Sequence, residues 1–144
     1  MARLTLEQAQ IIVTTALAKA RETNSRPITV AVLDEGGRLK AFASEDKSSL
    51  LRPEIATGKA YGALIFGTGT RLLASLSTDK PNFFTAISGL AGGRAVPVPG
   101  GVIIRFEKET IGAVGISGDT SERDEECAIA GIEAAGCKGD PGPK

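Results

Sequence analysis

Histidine and tryptophan are both absent from this 144-residue chain. Without histidine the chain lacks the commonest general base and the commonest zinc ligand. One tyrosine and five phenylalanines remain, and so few aromatic rings argue against a surface on which nucleic-acid bases stack. The lack of histidine and tryptophan and the small number of aromatic rings therefore argue against zinc chemistry, histidine catalysis and nucleic-acid binding.

An excess of charge of one sign is also lacking, since 17 basic and 17 acidic residues balance. No net field therefore draws the chain to nucleic acid or to anionic lipid. The longest apolar runs, such as "ALIF" and "GVII", fall far short of the roughly 20 residues of a membrane helix. The start, "MARLTLEQAQ", has no apolar core of a secretory signal. We expect a cytoplasmic protein whose partners include neither nucleic acid nor a membrane.

Cysteine is scarce, with only Cys127 and Cys137 present. On one helix these two residues would lie about 15 Å apart, too far for a disulfide. Their spacing is not that of a metal site either. We interpret both as packing residues or free thiols, and we predict no metal site.

The first half of the chain carries signals for two helices and a hairpin. Thr5 and Gln8 form a capping-box pattern at the start of a helix that runs to about residue 23. The run "ITVAVLDEGGRLKAFAS" predicts two strands joined at a glycine turn. Pro53 suits the first residue of a second helix, "PEIATGKAYGALIFG".

The second half predicts a short helix, three strands and a last helix. Thr70 is predicted to cap "RLLASL", and residues 77–94 to form a long irregular connection of the kind often used for binding. Strands are predicted at "AVPV", "GVIIRFE" and "TIGAVGIS". Ser121 is predicted to begin the last helix, with Asp124 completing its capping box.

The order of these elements predicts the fold class. Residues 1–144 are expected to form one α+β domain with a five-stranded sheet, because the two hairpins supply four strands and "AVPV" adds one. Residues 138–144 are expected to form a flexible tail.

Glycine is dense between residues 100 and 119, which raises the question of a phosphate-binding loop. Such a loop needs a helix directly after the glycines, whereas Gly100 and Gly101 lead into a strand. Gly112 and Gly115 lie inside another strand, where a missing side chain permits close packing. We therefore predict glycines that serve packing, not nucleotide binding.

Cationic side chains near helix and loop ends are the first candidates for a binding site. Arg52 stands at a helix start, where the dipole disfavours a positive charge, so we expect a carboxylate contact there. Arg94 follows two glycines, where a flexible loop would close a guanidinium fork on a substrate carboxylate. Glu54, Gly100 and Gly101 complete this predicted ligand-binding set.

Four further residues are candidates, each with more than one interpretation. Lys59 is either a solvated surface charge or an anion anchor whose pKa falls on burial. Asp119 and Asp124 belong either to an acid-rich helix start, to a general acid/base pair or to a site for a hard metal ion. Tyr61, the only tyrosine, is either a core residue or an iron ligand. We predict Lys59, Asp119 and Asp124 as catalytic and Tyr61 as ligand-binding.

Three stretches together resemble the GlcG/HbpS family over nearly the whole chain. "GGVIIRFEKETIGAVGISGDTSERDEECAIAGIEAAG" is similar to its C-terminal signature: a Gly-Gly-Val-Pro-Ile-like run, a Gly-Ala-Ile-Gly-Val-Ser-Gly-like strand and an Asp-led helix. "PEIATGKAYGALIFGTGT" resembles its middle helix, with Lys59 and Ala60 at a Lys-Ala pair. "ITVAVLDEGGRLKAFAS" resembles its first hairpin, with Asp34 in a Val-Val-Asp-x-x-Gly pattern.

The resemblance carries expectations for fold and ligand. Family members resemble the C-terminal domain of PduO-type corrinoid adenosyltransferases, and several bind haem or are described as haem-degrading. The resemblance implies a profilin-like fold, a five-stranded antiparallel sheet with helices packed on its faces, often in homo-oligomers, and it suggests haem as the cofactor. This chain departs from the pattern in lacking the histidine that is thought to ligate iron, in having Ile103 where many members have proline, and in its longer turn "FEKET".

Three functions remain open from the sequence. The first is a small-molecule-binding protein of the GlcG/HbpS type, with a tetrapyrrole or corrinoid ligand. The second is a cofactor-independent lyase, hydratase or isomerase that acts on a carboxylated metabolite. The third is a non-catalytic accessory oligomer whose subunits pack through a helix face containing Gly58 and Gly62.

Overall fold

A five-stranded antiparallel sheet with strand order β2-β1-β4-β3-β5 organises the chain, in a computed structural model that describes residues 2–144. The elements are α1 Leu6–Glu22, β1 Thr29–Asp34, β2 Leu39–Ser44, α2 Arg52–Phe66, α3 Arg71–Asp79, α4 Pro81–Leu90, β3 Gly101–Phe106, β4 Glu109–Ser117, α5 Ser121–Ala134 and β5 Lys138–Asp140. The predicted α+β class with a five-stranded antiparallel sheet is confirmed. No helix within the described residues has the length and apolar character needed to cross a bilayer.

Helices cover both faces of the sheet, and each face has its own apolar core. Side chains alternate across a strand, so Val30 and Val32 pack with α1 and α5, while Leu33 and Ile103 pack with α2. The central strand β1 is apolar on both faces because it is covered on both, as its sequence predicts.

Two glycines bring the backbone of α2 directly onto the sheet. Gly101 of β3 and Gly115 of β4 lie opposite each other. A Cβ atom would lie 2.2 Å from the Lys59 carbonyl oxygen at Gly101, and 1.8 Å from the Ala56 carbonyl oxygen at Gly115. The predicted packing role of the strand glycines is therefore visible as a contact between helix and sheet backbones.

The glycine face of α2 does not serve subunit packing, contrary to the third hypothesis. A Cβ at Gly58 would lie 2.5 Å from the Arg94 carbonyl oxygen, and one at Gly62 would lie 2.7 Å from Leu73 Cδ2. The chain's own residues therefore cover this face. The sequence shows that a backbone can approach here, but it does not identify which backbone does.

Helix caps agree with the sequence at α1 and differ at α5 and α3. Thr5 and Gln8 form the predicted capping box. The α5 cap is Thr120, whose hydroxyl accepts from the Arg123 N–H at 3.3 Å. The capping box predicted with Asp124 is wrong, because the cap lies one residue earlier than Ser121 and Asp124 therefore falls one residue beyond the capping-box position. Thr70 does not cap α3 through its side chain, since its hydroxyl donates to the Val98 carbonyl oxygen.

Residues 77–94 are more regular than predicted. They contain the end of α3 and the whole of α4. Pro81 is compatible with the first turn of α4 because a helix makes no use of the first N–H groups. No residue of α4 is fully buried, and its Asn82, Thr85, Ser88 and Gly89 are weak helix formers, so local propensity does not identify this helix in the sequence.

The fifth strand comes from the predicted tail. The run "AVPV", residues 95–98, is not a strand, since Pro97 and Pro99 have no N–H to donate to a sheet. Lys138–Asp140 forms β5 beside β3 instead, so the prediction of a flexible tail is wrong for these residues. The chain then packs on the start of α3, where a Cβ at Gly69 would lie 2.0 Å from the Pro141 carbonyl carbon.

The close contact at Gly115 predicts a large stability loss for Gly115→Ala. The new Cβ would meet a backbone oxygen, which no rotamer change can move, so we expect a cost at the upper end of the about 1–3 kcal/mol typical of overpacking. Gly89→Ala in α4 is the matched control. It has open space around its Cβ and gains about 0.5–1 kcal/mol of helix propensity. Urea unfolding of both variants measures the difference, and equal midpoints would contradict the contact.

Candidate functional site

A buried ion pair joins α2 to α5 at one end of the sheet. Lys59 is 3% exposed and Asp124 is 1% exposed. Lys59 Nζ donates to the Ile116 carbonyl oxygen at 2.8 Å and to Asp124 Oδ2 at 3.3 Å. The two helices lie on opposite faces, so the lysine reaches past the end of β3 to meet the aspartate.

Gly100 makes room for this lysine. A Cβ at Gly100 would lie 2.8 Å from Lys59 Nζ, and the residue has a φ of +120°, which side chains rarely adopt. The Gly100 carbonyl oxygen accepts from the Ile116 N–H at 3.1 Å. The hydrogen bond between Gly100 and Ile116 is the last one between this segment and β4. Beyond it, the lysine ammonium donates to the Ile116 carbonyl oxygen.

Burial moves the pKa values of the pair towards the neutral forms. Removal from water lowers the pKa of Lys59 against the opposing attraction of Asp124, and the charge of Arg52 lowers it further. Removal from water likewise raises the pKa of Asp124, against the attraction of Lys59. Asp124 also accepts from the Asp119 N–H at 3.0 Å.

Asp119 remains a solidly ionised carboxylate beside this pair. Its oxygens accept from the Arg26 N–H at 2.8 Å and from the Thr120 N–H at 2.7 Å. These backbone donors lower the pKa of Asp119 to about 2. Asp119 therefore orders the turn between β4 and α5, and it has the wrong pKa for a proton donor near neutral pH.

Two other predicted residues, Glu54 and Arg94, line a largely apolar cavity of about 650 Å³. It lies between β2, the first half of α2 and the segment 93–96. Most of its walls are apolar, and its two charged residues are Glu54 and Arg94. Its lining residues are Leu39, Phe42, Leu51, Pro53, Glu54, Ile55, Thr57, Gly58, Gly93, Arg94 and Val96.

Arg94 is held at the rim of the cavity by Tyr61. Its Nη2 donates to the Tyr61 hydroxyl and its Nε to the Ala91 carbonyl oxygen, both at 2.8 Å. The guanidinium carbon lies 3.9 Å from the Tyr61 ring centroid, in a cation–π contact. Tyr61 in turn packs against Gly37, where a Cβ would lie 3.0 Å from Tyr61 Cε1.

The predicted site residues therefore fall into two separate groups. Lys59, Asp124 and Gly100 meet in the interior, with Asp119 beside them in the turn before α5, and neither Lys59 nor Asp124 lines the cavity. Glu54 and Arg94 line the cavity, and Tyr61 lies behind Arg94. The remaining two candidates, Arg52 and Gly101, belong neither to the interior group nor to the cavity lining.

Arg52 and Gly101 have structural contacts. Arg52 donates to the Ser49 and Ser117 hydroxyls, each at 3.0 Å, and not to the expected carboxylate. Gly101 lies under α2 at the Lys59 carbonyl oxygen. Within residues 2–144, no three His, Cys, Asp or Glu side chains lie close enough together to hold a metal ion.

The apolar walls of the cavity were not among the predicted site residues. Leu39 and Phe42 lie on the edge strand β2, and Val96 lies in the segment mistaken for a strand. The available signal was the partial apolar alternation of "LKAFAS" in the second strand of the predicted hairpin. That alternation also describes an ordinary core strand, so it does not identify a binding wall.

The amino-acid sequence matches one family model and one known protein over nearly its whole length. The family model described as haem-degrading protein HbpS-like matches residues 4–133. A 15.0 kDa protein from the dhaT-dhaS intergenic region of Citrobacter freundii, described as uncharacterized, is 30% identical over 136 residues, covering 92% of each chain. These matches span nearly the whole chain.

Solved structures agree in fold. Klebsiella pneumoniae protein ORFY has a TM-score of 0.85 and 26% identity, over 94% of this chain and 93% of its own. The PduOC chain of a haem complex has a TM-score of 0.84 and 23% identity, over 94% and 97%. HbpS has a TM-score of 0.80 and 24% identity, over 92% and 90%. The last two show a shared fold.

The buried pair predicts a pH-dependent stability loss in Lys59→Met. Without the lysine, Asp124 loses the charge that lowers its pKa, so its folded-state pKa lies further above the unfolded value of about 3.9. A carboxyl group whose folded-state pKa is raised contributes stability that is fully present below its unfolded pKa. That stability is lost as the pH rises through the folded-state pKa. We expect a deficit of about 3–5 kcal/mol at pH 7 that shrinks towards pH 4.

Chemical unfolding between pH 4 and pH 7 measures this deficit. Lys40→Met is the matched control, because Lys40 is exposed on β2, and it should change stability by less than about 0.5 kcal/mol at every pH. A Lys59→Met deficit that stays constant across this range would show that the pair is not the source of the effect.

Proposed function

The chain belongs to the HbpS-like family of haem-degrading proteins, and on that basis we propose that it binds a small molecule of the tetrapyrrole or corrinoid class. The proposed site is the cavity between β2, α2 and the segment 93–96. One observation carries the proposal: Arg94, the one cationic residue of the lining, stands at the rim of a largely apolar cavity.

The chemistry of the cavity suits a flat apolar ring with carboxylate groups. Its volume of about 650 Å³ lies within the range of about 300–1,000 Å³ typical of small-molecule sites. Leu39, Phe42 and Val96 offer apolar surface to a ring. Arg94 offers a guanidinium fork that pairs with a carboxylate through two hydrogen bonds.

The other two functions receive less support. A cofactor-independent enzyme needs its acid or base within reach of the substrate, whereas Lys59 and Asp124 are buried against each other away from the cavity. The accessory oligomer depended on a glycine face that the chain itself covers. The cavity with Arg94 favours ligand binding over both.

Arg94→Gln tests the proposal. Since a hydrogen bond to a charged group contributes about 1.5–3 kcal/mol, we expect the variant to lose about tenfold to hundredfold in affinity for haemin. Absorbance titration measures the affinity and the stoichiometry, which should be one haemin per chain. Arg123→Gln is the control, because Arg123 lies on α5 on the opposite face of the sheet and should leave the affinity unchanged. Absence of saturable binding, or equal affinity in Arg94→Gln, would contradict the proposed site.

A cytoplasmic location and self-association, both expected from the sequence, remain proposals. Self-association is supported by α4, which has no buried residue and ends at Leu90, a leucine that is 86% exposed. Phe83, seven residues earlier on the same face of α4, is also 47% exposed, and apolar residues grouped on one exposed face are typical of an interface.

Leu90→Gln is expected to weaken self-association. A buried leucine contributes about 1.5–3 kcal/mol in each copy, so the concentration at which oligomers form should rise at least tenfold. Light scattering over a dilution series measures it. Leu6→Gln is the control, since Leu6 is 53% exposed but lies on α1. An unchanged mass for Leu90→Gln would show that α4 is not at the interface.

A further inference from the structure

We propose that this cavity holds its ligand without any protein ligand to iron, so that it binds a metal-free porphyrin as well as it binds haem. The inference rests on the proposed function and specifies which part of the ligand the site recognises. It follows from where residues 2–144 place each side chain that has the chemistry to bind haem iron.

Among residues 2–144, no nitrogen or sulfur donor suited to haem iron lies at the site. The chain has no histidine. Cys127 is buried in the core between α1, α5 and the sheet, and burial raises the pKa of its thiol to about 11. Cys137 packs against the same core, and burial raises its thiol pKa as well. Both sulfurs thus lie across the sheet from α2 and are held as thiols, whereas iron binds the thiolate.

Lysine does not replace histidine as a nitrogen ligand at this site. Lys59 is the one lysine of α2, and its ammonium is committed to Ile116 and Asp124 in the interior. No lysine lines the cavity. The donors that remain near the ligand are therefore oxygen atoms.

The hydroxyl and the ring of Tyr61 both contact Arg94. Its hydroxyl oxygen accepts from Arg94 at 2.8 Å, and the guanidinium lies over its ring at 3.9 Å from the centroid. Tyr61 does not line the cavity, whereas Arg94 does. The geometry points to Tyr61 as a positioning residue that fixes the guanidinium at the rim, rather than as the iron ligand that the sequence left open.

Two side-chain oxygen donors lie on the cavity wall itself, those of Thr57 and Glu54. The Thr57 hydroxyl donates to the Pro53 carbonyl oxygen at 2.8 Å, one turn back along α2. Glu54 lies in the first turn of α2, exposed to water and close to the positive end of the helix dipole. A neutral hydroxyl and a solvated carboxylate both lie outside the set of His, Cys, Met and Tyr side chains that hold haem iron in proteins.

What the site does offer is independent of a metal. The apolar walls contact the face of a ring, and Arg94 pairs with a carboxylate at its edge. A porphyrin with and without iron presents the same ring and the same carboxylates. The two ligands should therefore bind with closely similar affinities.

The test compares haemin with metal-free protoporphyrin on the wild-type protein, Tyr61→Phe and Arg94→Gln. Haemin binding is followed by absorbance and protoporphyrin binding by its own fluorescence, and the readout is the ratio of the two dissociation constants. We expect a ratio within about threefold of one for all three proteins. Both variants should weaken the two ligands in parallel, since Tyr61 acts through Arg94. The Soret band of bound haemin should have the same position in wild type and in Tyr61→Phe.

The outcomes separate this inference from the proposed function. If haemin binds and protoporphyrin binds more than tenfold more weakly, or if Tyr61→Phe weakens haemin alone and shifts its Soret band, iron is ligated and the inference is wrong while the proposed function stands. If neither porphyrin binds, the proposed function itself is wrong. Thermal unfolding of each variant confirms that the fold is intact, and Tyr61→Phe keeps the ring that packs on Gly37.

Discussion

The contact between the backbone of α2 and the glycine pair Gly101 and Gly115 is the constraint on which the rest of the structure depends. Any side chain at either position would lift the helix away from β3 and β4. Because α2 is held low over the centre of the sheet, it leaves β2 uncovered on that face, whereas α1 packs on the other face of β2. Leu39 and Phe42 remain exposed there, and the apolar cavity opens between them and the helix.

The same low position of α2 explains how a lysine and an aspartate on opposite faces of a sheet come to touch. Lys59 begins directly above Gly101 and passes Gly100, where no side chain blocks its way to the end of β4. There it satisfies a carbonyl oxygen that β3 does not reach and meets Asp124. A buried pair of this kind adds less to stability than its Coulomb attraction suggests, because both charges lose their hydration. It does make the relative placement of α2 and α5 specific, since either charge alone would be costly.

Functionally, the chain separates its charged residues into an interior pair and a cavity rim. The interior pair has the perturbed pKa values that often indicate catalysis, yet it lacks access to a ligand. The rim has an ordinary arginine placed by an aromatic ring, with access to a ligand and apolar surface beside it. Access therefore decides between the two groups, and it favours ligand binding over acid–base chemistry. Family membership agrees with that choice, while the absence of histidine changes how a ligand of the tetrapyrrole class would be held.

The sequence by itself determined the elements whose signals are local. The capping box at Thr5, the hairpin of β1 and β2 and the glycine-rich strands follow from hydrogen bonds and side-chain periodicity within a few residues, and they predict the α+β class correctly. Only the tertiary structure decided which segment became the fifth strand, because the pairing of Lys138–Asp140 with β3 joins residues far apart in the chain. It also decided that Lys59 is buried and that Arg94 stands over Tyr61. A lone lysine or arginine has no local pattern, and its role depends on which distant backbone and side chains the folded chain brings to it.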